Sequence, residues 1–97
     1  MSPLPNQPYA PARRVTLLVT KPPVDKSLDC TGLYCPEPVI RTAAQARKML
    51  PGQVLEVLGD DPGMQIDIPA WCSSHGHEFL GLETGQGFIR ATIRLAG

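Results

Sequence analysis

The chain has 97 residues, 42% of them apolar and 19% charged, with nine basic and nine acidic side chains. That suits one small globular domain and leaves little room for a deep substrate pocket. The charge is unevenly spread: residues 1–24 carry Arg13, Arg14 and Lys21 and no acid, so the rest is acidic and offers no electrostatic footprint for nucleic acid.

The head of the chain is the first segment to stand apart. Six of the eleven prolines fall in residues 1–23, and Pro3, Pro5, Pro8 and Pro11 leave no space for a regular element. Residues 1–24 therefore read as a flexible, proline-rich N-terminal extension, with Val15–Thr20 as a possible strand inside it. Arg13-Arg14 before "VTLLV" has the look of an export signal, but the apolar stretch is too short for one. No apolar run approaches the length of a membrane span. The expected location is the cytoplasm, with no membrane contact.

From residue 25 the signals sharpen into a single domain, residues 25–97. "KSLDC", residues 26–30, is a short strand candidate. "TGLY" is a loop in which Gly32 is free to take positive φ. Cys35 then stands as the N-cap of a helix with Pro36 at its first position. Apolar residues recur at Val39, Ile40, Ala43, Ala46 and Leu50, and Arg41, Gln45 and Lys48 share another face. Pro51-Gly52 ends that helix. "QVLEVLG", residues 53–59, is a strand.

Asp60-Asp61-Pro62 reads as a second helix start, an acidic cap followed by proline. Met64, Ile68, Trp71 and Cys72 form its apolar stripe. Pro69 interrupts this stripe and predicts a kink, or a fresh start capped by Asp67. "HEFLGLE" and "FIRATIRL", joined by the glycine-bearing "TGQG", read as a hairpin with Arg90, Thr92 and Arg94 on one face. The order β-α-β-α-β-β predicts an α+β fold, a two-layer sandwich with both helices on one face of a four-stranded sheet.

The chemistry centres on the stretch "LDCTGLYCPEP". With Cys35 as N-cap, the prolines at 36 and 38 occupy first-turn positions whose N–H groups lack partners within the helix anyway. The nearest free donor to the sulfur is then the Glu37 N–H, at the positive end of the helix dipole. Both favour thiolate and predict a lowered Cys35 pKa, with the Glu37 carboxylate opposing. Three cysteines are an odd number, which argues against a disulfide framework. Cys30 and Cys35 have four residues between them, so there is no CxxC redox pair. Cys30 and Cys72 read as packed residues, and Trp71 as core filling. Cys72, His75 and His77 have metal-like residue types but lack a fourth ligand, and no metal or other cofactor is expected. The histidines also leave a Cys-His dyad open. The function this leaves is an exposed nucleophilic sulfur that carries something, such as a persulfide. The alternatives are a thiol redox or metal-binding module and a non-catalytic interaction or regulatory domain.

Taken together, these residues resemble the TusA/SirA family of small sulfur-carrier proteins. The resemblance runs over about residues 26–95. It rests on Leu28, Asp29, Gly32 and Leu33, on Cys35-Pro36-Glu37-Pro38, on Pro51-Gly52, on Asp60-Asp61-Pro62, and on Asp67-Ile68-Pro69 with Trp71-Cys72. It implies the same β-α-β-α-β-β sandwich. It further implies that Cys35 takes sulfane sulfur from a cysteine desulfurase or another persulfide donor. That sulfur would then pass to a downstream relay protein serving tRNA thiolation, molybdenum-cofactor synthesis or sulfur oxidation. Residues 1–24 depart from the family's pattern. So does Tyr34, which stands where a basic residue is often found. Tyr34, Arg41 and Lys48 are the candidate partner contacts.

Overall fold

In a computed structural model, residues 23–96 are described. The predicted strand at Val15–Thr20 and nearly all of the N-terminal extension lie outside the described residues. Six elements follow in the predicted order. These are β1 (Lys26–Asp29), α1 (Glu37–Ala46), β2 (Val54–Gly59), α2 (Met64–His75), β3 (Glu78–Gly85) and β4 (Phe88–Arg94).

The sheet order is β1-β2-β4-β3. β1 runs parallel to β2, with Leu28 opposite Val57, whereas β2–β4 and β3–β4 are antiparallel. The parallel pair needs a crossover, and α1 supplies it. The β3–β4 hairpin turns through Gln86-Gly87, tighter than the four-residue turn expected, and a register shift lies between Phe79 and Gly81.

Alternation along the strands separates the two faces of the sheet. Leu55, Val57, Ile89, Ala91 and Ile93 point inward and are buried. Met64, Ile68, Trp71 and Cys72 of α2 pack on them, and Val39, Ala43 and Ala46 of α1 close the same cluster. Both helices therefore cover one face. On the other face Arg90 bridges Glu56 (Nε to Oε2, 3.0 Å) and Glu83 (2.8 Å), as expected for a hairpin that turns Arg90, Thr92 and Arg94 outward.

Away from Cys35 the helices differ from the sequence reading in three places. First, α1 ends at Ala46 and the chain tightens, with Lys48 N–H bonding to the Gln45 carbonyl and Met49 N–H to that of Ala46. The tightening turns Met49 onto the core and leaves Leu50 67% exposed; Ile40, also expected in the apolar stripe, is 52% exposed. Thr42 is buried in its place, its hydroxyl donating to the Pro38 carbonyl at 2.7 Å. Second, α2 begins at Met64 after Gly63, so Asp60-Asp61-Pro62 precedes the helix and does not cap it. Third, α2 runs through Pro69 to His75 without restarting at Asp67. Pro69 withholds the N–H that the Gln65 carbonyl would otherwise accept, and Gln65 is exposed, so water can substitute. Gly59 lets β2 pass close under α2, because a Cβ there would strike the Met64 side chain.

Candidate functional site

The thiol-bearing segment is a loop pinned at both ends. At one end Cys30 N–H continues the β1–β2 ladder to the Leu58 carbonyl (2.7 Å), and its side chain is fully buried. Asp29 accepts from both the backbone and the hydroxyl of Thr31, which pulls its carboxyl below the usual range. The chain then reverses at Gly32 (φ 82°), a conformation that favours glycine.

Two neighbouring carboxylates hold the rest of the loop. Asp60 accepts the Gly32 N–H (3.1 Å), and Asp61 accepts the Cys35 N–H (2.9 Å). The sequence reading takes this pair as a helix cap. It is instead a clamp that ties the loop after β1 to the loop after β2. No local pattern announces it, since each partner lies 26 to 28 residues away.

Helix α1 starts one residue later than expected. Pro36 is the N-cap, Glu37 the first helical residue and Pro38 the second, and the Cys35–Pro36 peptide bond is cis. Glu37 N–H does not serve the sulfur. It closes a turn to the Tyr34 carbonyl at 2.8 Å. The Glu37 side chain pairs with Arg41 at 3.5 Å, so Arg41 is tied along its own helix. Tyr34 is 73% exposed beside the cysteine. Lys48 lies exposed beyond the far end of α1, whose ten residues span about 15 Å. Tyr34 thus adjoins the cysteine in the chain, Arg41 lies exposed one turn into α1, and Lys48 lies beyond its far end.

The Cys35 thiol is exposed and hydrogen-bonds to Asp67, whose Oδ2 accepts from Sγ at 2.9 Å. The expected lowering of the thiol pKa is overturned. The bond to Asp67 favours S–H, and partial desolvation and the charges of Asp67 and Asp61 push the same way, so the pKa is raised. The sequence signal for Asp67 was present but misread: an acid one helical turn before Trp71 was assigned to capping. Its carboxylate reaches across from α2 to the start of α1.

Cys35 and Asp67 share an open groove between the helices, about 550 Å³ in volume, lined also by Pro36, Val39, Ala70, Trp71 and Ser74. Beyond Trp71 lies a second hollow of about 430 Å³, lined by Ala43, Ala46, Arg47, Met49, His75 and His77. Both histidines stack near Trp71, at 5.4 and 4.7 Å between ring centres. His77 Nδ1 accepts the Ala96 N–H at 3.0 Å, and burial together with His75 lowers its pKa. Neither ring lines the Cys35 groove, so the two histidines and Cys35 are not brought together. Among the described residues no group of three or more His, Cys, Asp or Glu is placed to hold a metal ion. No helix among them is long and apolar enough to cross a membrane.

A two-layer α/β domain that presents one exposed, loop-held cysteine at a helix start, with Cys30 and Cys72 buried beneath, is a thiol-presenting domain of the SirA-like type. The chain belongs to the sulfurtransferase TusA family, whose sequence model matches residues 26–95. A protein of Bacillus subtilis named as a candidate sulfur carrier, YrkF, is 39% identical over 70 residues, covering 72% of this chain and 38% of that protein. A candidate sulfur carrier protein of Aquifex aeolicus is 43% identical over 72 residues, covering 74% of this chain and 36% of its own length. The chain thus matches little more than a third of either relative. The crystal structure of a SirA-like protein from Desulfitobacterium hafniense superposes with a TM-score of 0.66 at 27% identity, covering 74% of this chain and 99% of that one.

Proposed function

We propose that this protein is a sulfur carrier in which Cys35 accepts sulfane sulfur as a persulfide and passes it on. The observation that carries the reading is the contrast among the thiols: Cys35 is exposed and Cys30 and Cys72 are buried, on a fold whose family is that of a sulfurtransferase. A carrier thiol must be reached by two macromolecular partners in turn. An exposed sulfur on a short, clamped loop meets that need, and a deep pocket would defeat it. The donor is a cysteine desulfurase or another protein persulfide. The acceptor is a relay protein of tRNA thiolation, molybdenum-cofactor synthesis or sulfur oxidation. Tyr34, next to the sulfur-bearing residue, and Arg41 on α1 would meet whichever partner approaches, with Lys48 at the margin of a larger footprint. The domain would work in the cytoplasm without a cofactor.

The test is intact-mass measurement after incubation with a cysteine desulfurase and cysteine. The expected result is a gain of one sulfur atom, reversed by reductant and absent in Cys35→Ser. A gain that persists in Cys35→Ser would sink the assignment.

A further inference from the structure

The backbone N–H groups next to Sγ are missing or already taken. Pro36 has no N–H. The Glu37 N–H is committed to the Tyr34 carbonyl, the Cys35 N–H to Asp61 Oδ2, and the Gly63 N–H to Asp61 Oδ1 at 3.4 Å. What faces the sulfur from α2 is a carboxylate, Asp67, at 2.9 Å. The other charged groups around it are Asp61 and Asp60 on the β2–α2 loop, Glu37 on α1, and Arg41, which is paired to Glu37. Such a setting welcomes a sulfur that donates and disfavours one that can only accept.

We propose that Asp67 is a positioning residue of the carrier, holding the empty Cys35 thiol as S–H and opposing retention of the sulfur once it is loaded. This rests on the reading of Cys35 as the sulfur-bearing residue. In loading, Cys35 gives up its proton and its sulfur attacks the outer sulfur of a donor R–S–SH. The Cys35 S–S bond forms, the R–S bond to that sulfur breaks, and the electron pair leaves on R–S. A proton returned to R–S completes Cys35–SH + R–S–SH → Cys35–S–SH + R–SH, with no outside oxidant or reductant. The inner sulfur now carries no hydrogen. Asp67 loses its donor and faces sulfur lone pairs, and the outer sulfur, which ionises more readily than a thiol, brings negative charge nearby. The same carboxylate that steadies the empty carrier therefore destabilises the loaded one, which favours hand-off.

The test uses the full chain as wild type, Asp67→Asn, Asp67→Glu and Cys35→Ser, each checked for folding by circular dichroism. Two quantities are read by intact mass: the pH profile of Cys35 alkylation by iodoacetamide, and the equilibrium constant for loading from glutathione persulfide. In Asp67→Asn the alkylation midpoint should move to lower pH, with alkylation at neutral pH about three- to tenfold faster and loading about threefold or more favoured. Asp67→Glu, which keeps the charge, should stay near wild type. An unmoved profile in Asp67→Asn, an equal shift in Asp67→Glu, or a moved profile with unchanged loading would each overturn the proposal. Absence of any Cys35-dependent loading in the wild type would instead remove the carrier reading, and the hand-off role with it. The alkylation profile, which needs no persulfide, tells that failure apart.

Discussion

The surroundings of Cys35 and of Cys72 hold the same functional group by opposite means. Cys72 sits in the apolar cluster of α2, 1% exposed, and burial alone pushes its thiol up to about 11. Cys35 is open to solvent, and its thiol is pushed up chiefly by a hydrogen bond to a carboxylate. Both are kept as S–H, but only one can be reached. Exposure decides which thiol a partner can reach, and local charge decides in what state it waits. The largest effect that would test this contrast comes from exchanging each sulfur for oxygen. Cys35→Ser should lose all sulfur loading while its unfolding free energy in urea titration holds to within about 0.5 kcal/mol, as for an ordinary surface site. Cys72→Ser should keep loading but lose about 1–3 kcal/mol, because a hydroxyl enters an apolar cluster without an assured partner. Loss of loading in Cys72→Ser at a temperature where it remains folded would break the contrast.

Adjacent residues on α2 sharpen it. Ile68 is fully buried against the sheet, and Asp67, one residue earlier, faces the groove. Ile68→Ala should cost about 2–5 kcal/mol in urea unfolding. Asp67→Asn should move stability far less than that while shifting thiol chemistry. If the two substitutions had similar stability effects, the division of α2 into a structural and a functional face would fail.

A smaller effect follows from pH. For Cys72 the folded pKa is raised from the ordinary 9.0 to about 11. Its neutral form is therefore favoured by folding, and this contribution is fully present below the unfolded value. As pH rises from about 9 toward 11 the unfolded chain ionises first, and the stability gained from the buried neutral thiol is lost, by roughly 2 kcal/mol. Cys72→Ala should flatten that part of the pH–stability curve, measured by urea midpoints between pH 8 and pH 11. The Cys35 thiol is raised in the same direction but less, so Cys35→Ser should flatten the curve by less than Cys72→Ala does.

Much of this arrangement was legible in the residues. Element order followed from periodicity and from Pro-Gly punctuation, and the buried stripe Met64, Ile68, Trp71, Cys72 was read correctly because helical spacing reports one face of one helix. What spacing cannot report is a partnership between elements. Asp67 and Cys35 are 32 residues apart, and Asp61 and Cys35 are 26 apart; only folding brings them together. The error over the thiol's pKa has the same origin. Donors along the local chain favour a thiolate, whereas the sulfur is governed by a carboxylate delivered from another helix. The misplacement of Leu50 is more local: a tightened last turn rotates the stripe, so that Met49 takes the core position.

The smallest predicted effect concerns the second carboxylate of the site. Asp61 is bonded to the Cys35 N–H through Oδ2, and its Oδ1 takes the Gly63 N–H. It raises the thiol through its charge alone, and that contribution ranks below those of Asp67. Asp61→Asn should therefore shift the alkylation profile in the same direction as Asp67→Asn but by less, about twofold in rate at neutral pH. The asparagine amide has one acceptor oxygen where the carboxylate has two, so one of the two backbone N–H groups must turn to water. The loop should loosen accordingly, read as faster amide hydrogen exchange at Cys35 or Gly63. A shift in the alkylation profile larger than that of Asp67→Asn would mean that loop geometry, and not the carboxylate on the sulfur, sets the state of the thiol. In that case the contrast between Cys35 and Cys72 would be one of backbone restraint against burial, with charge in a secondary role.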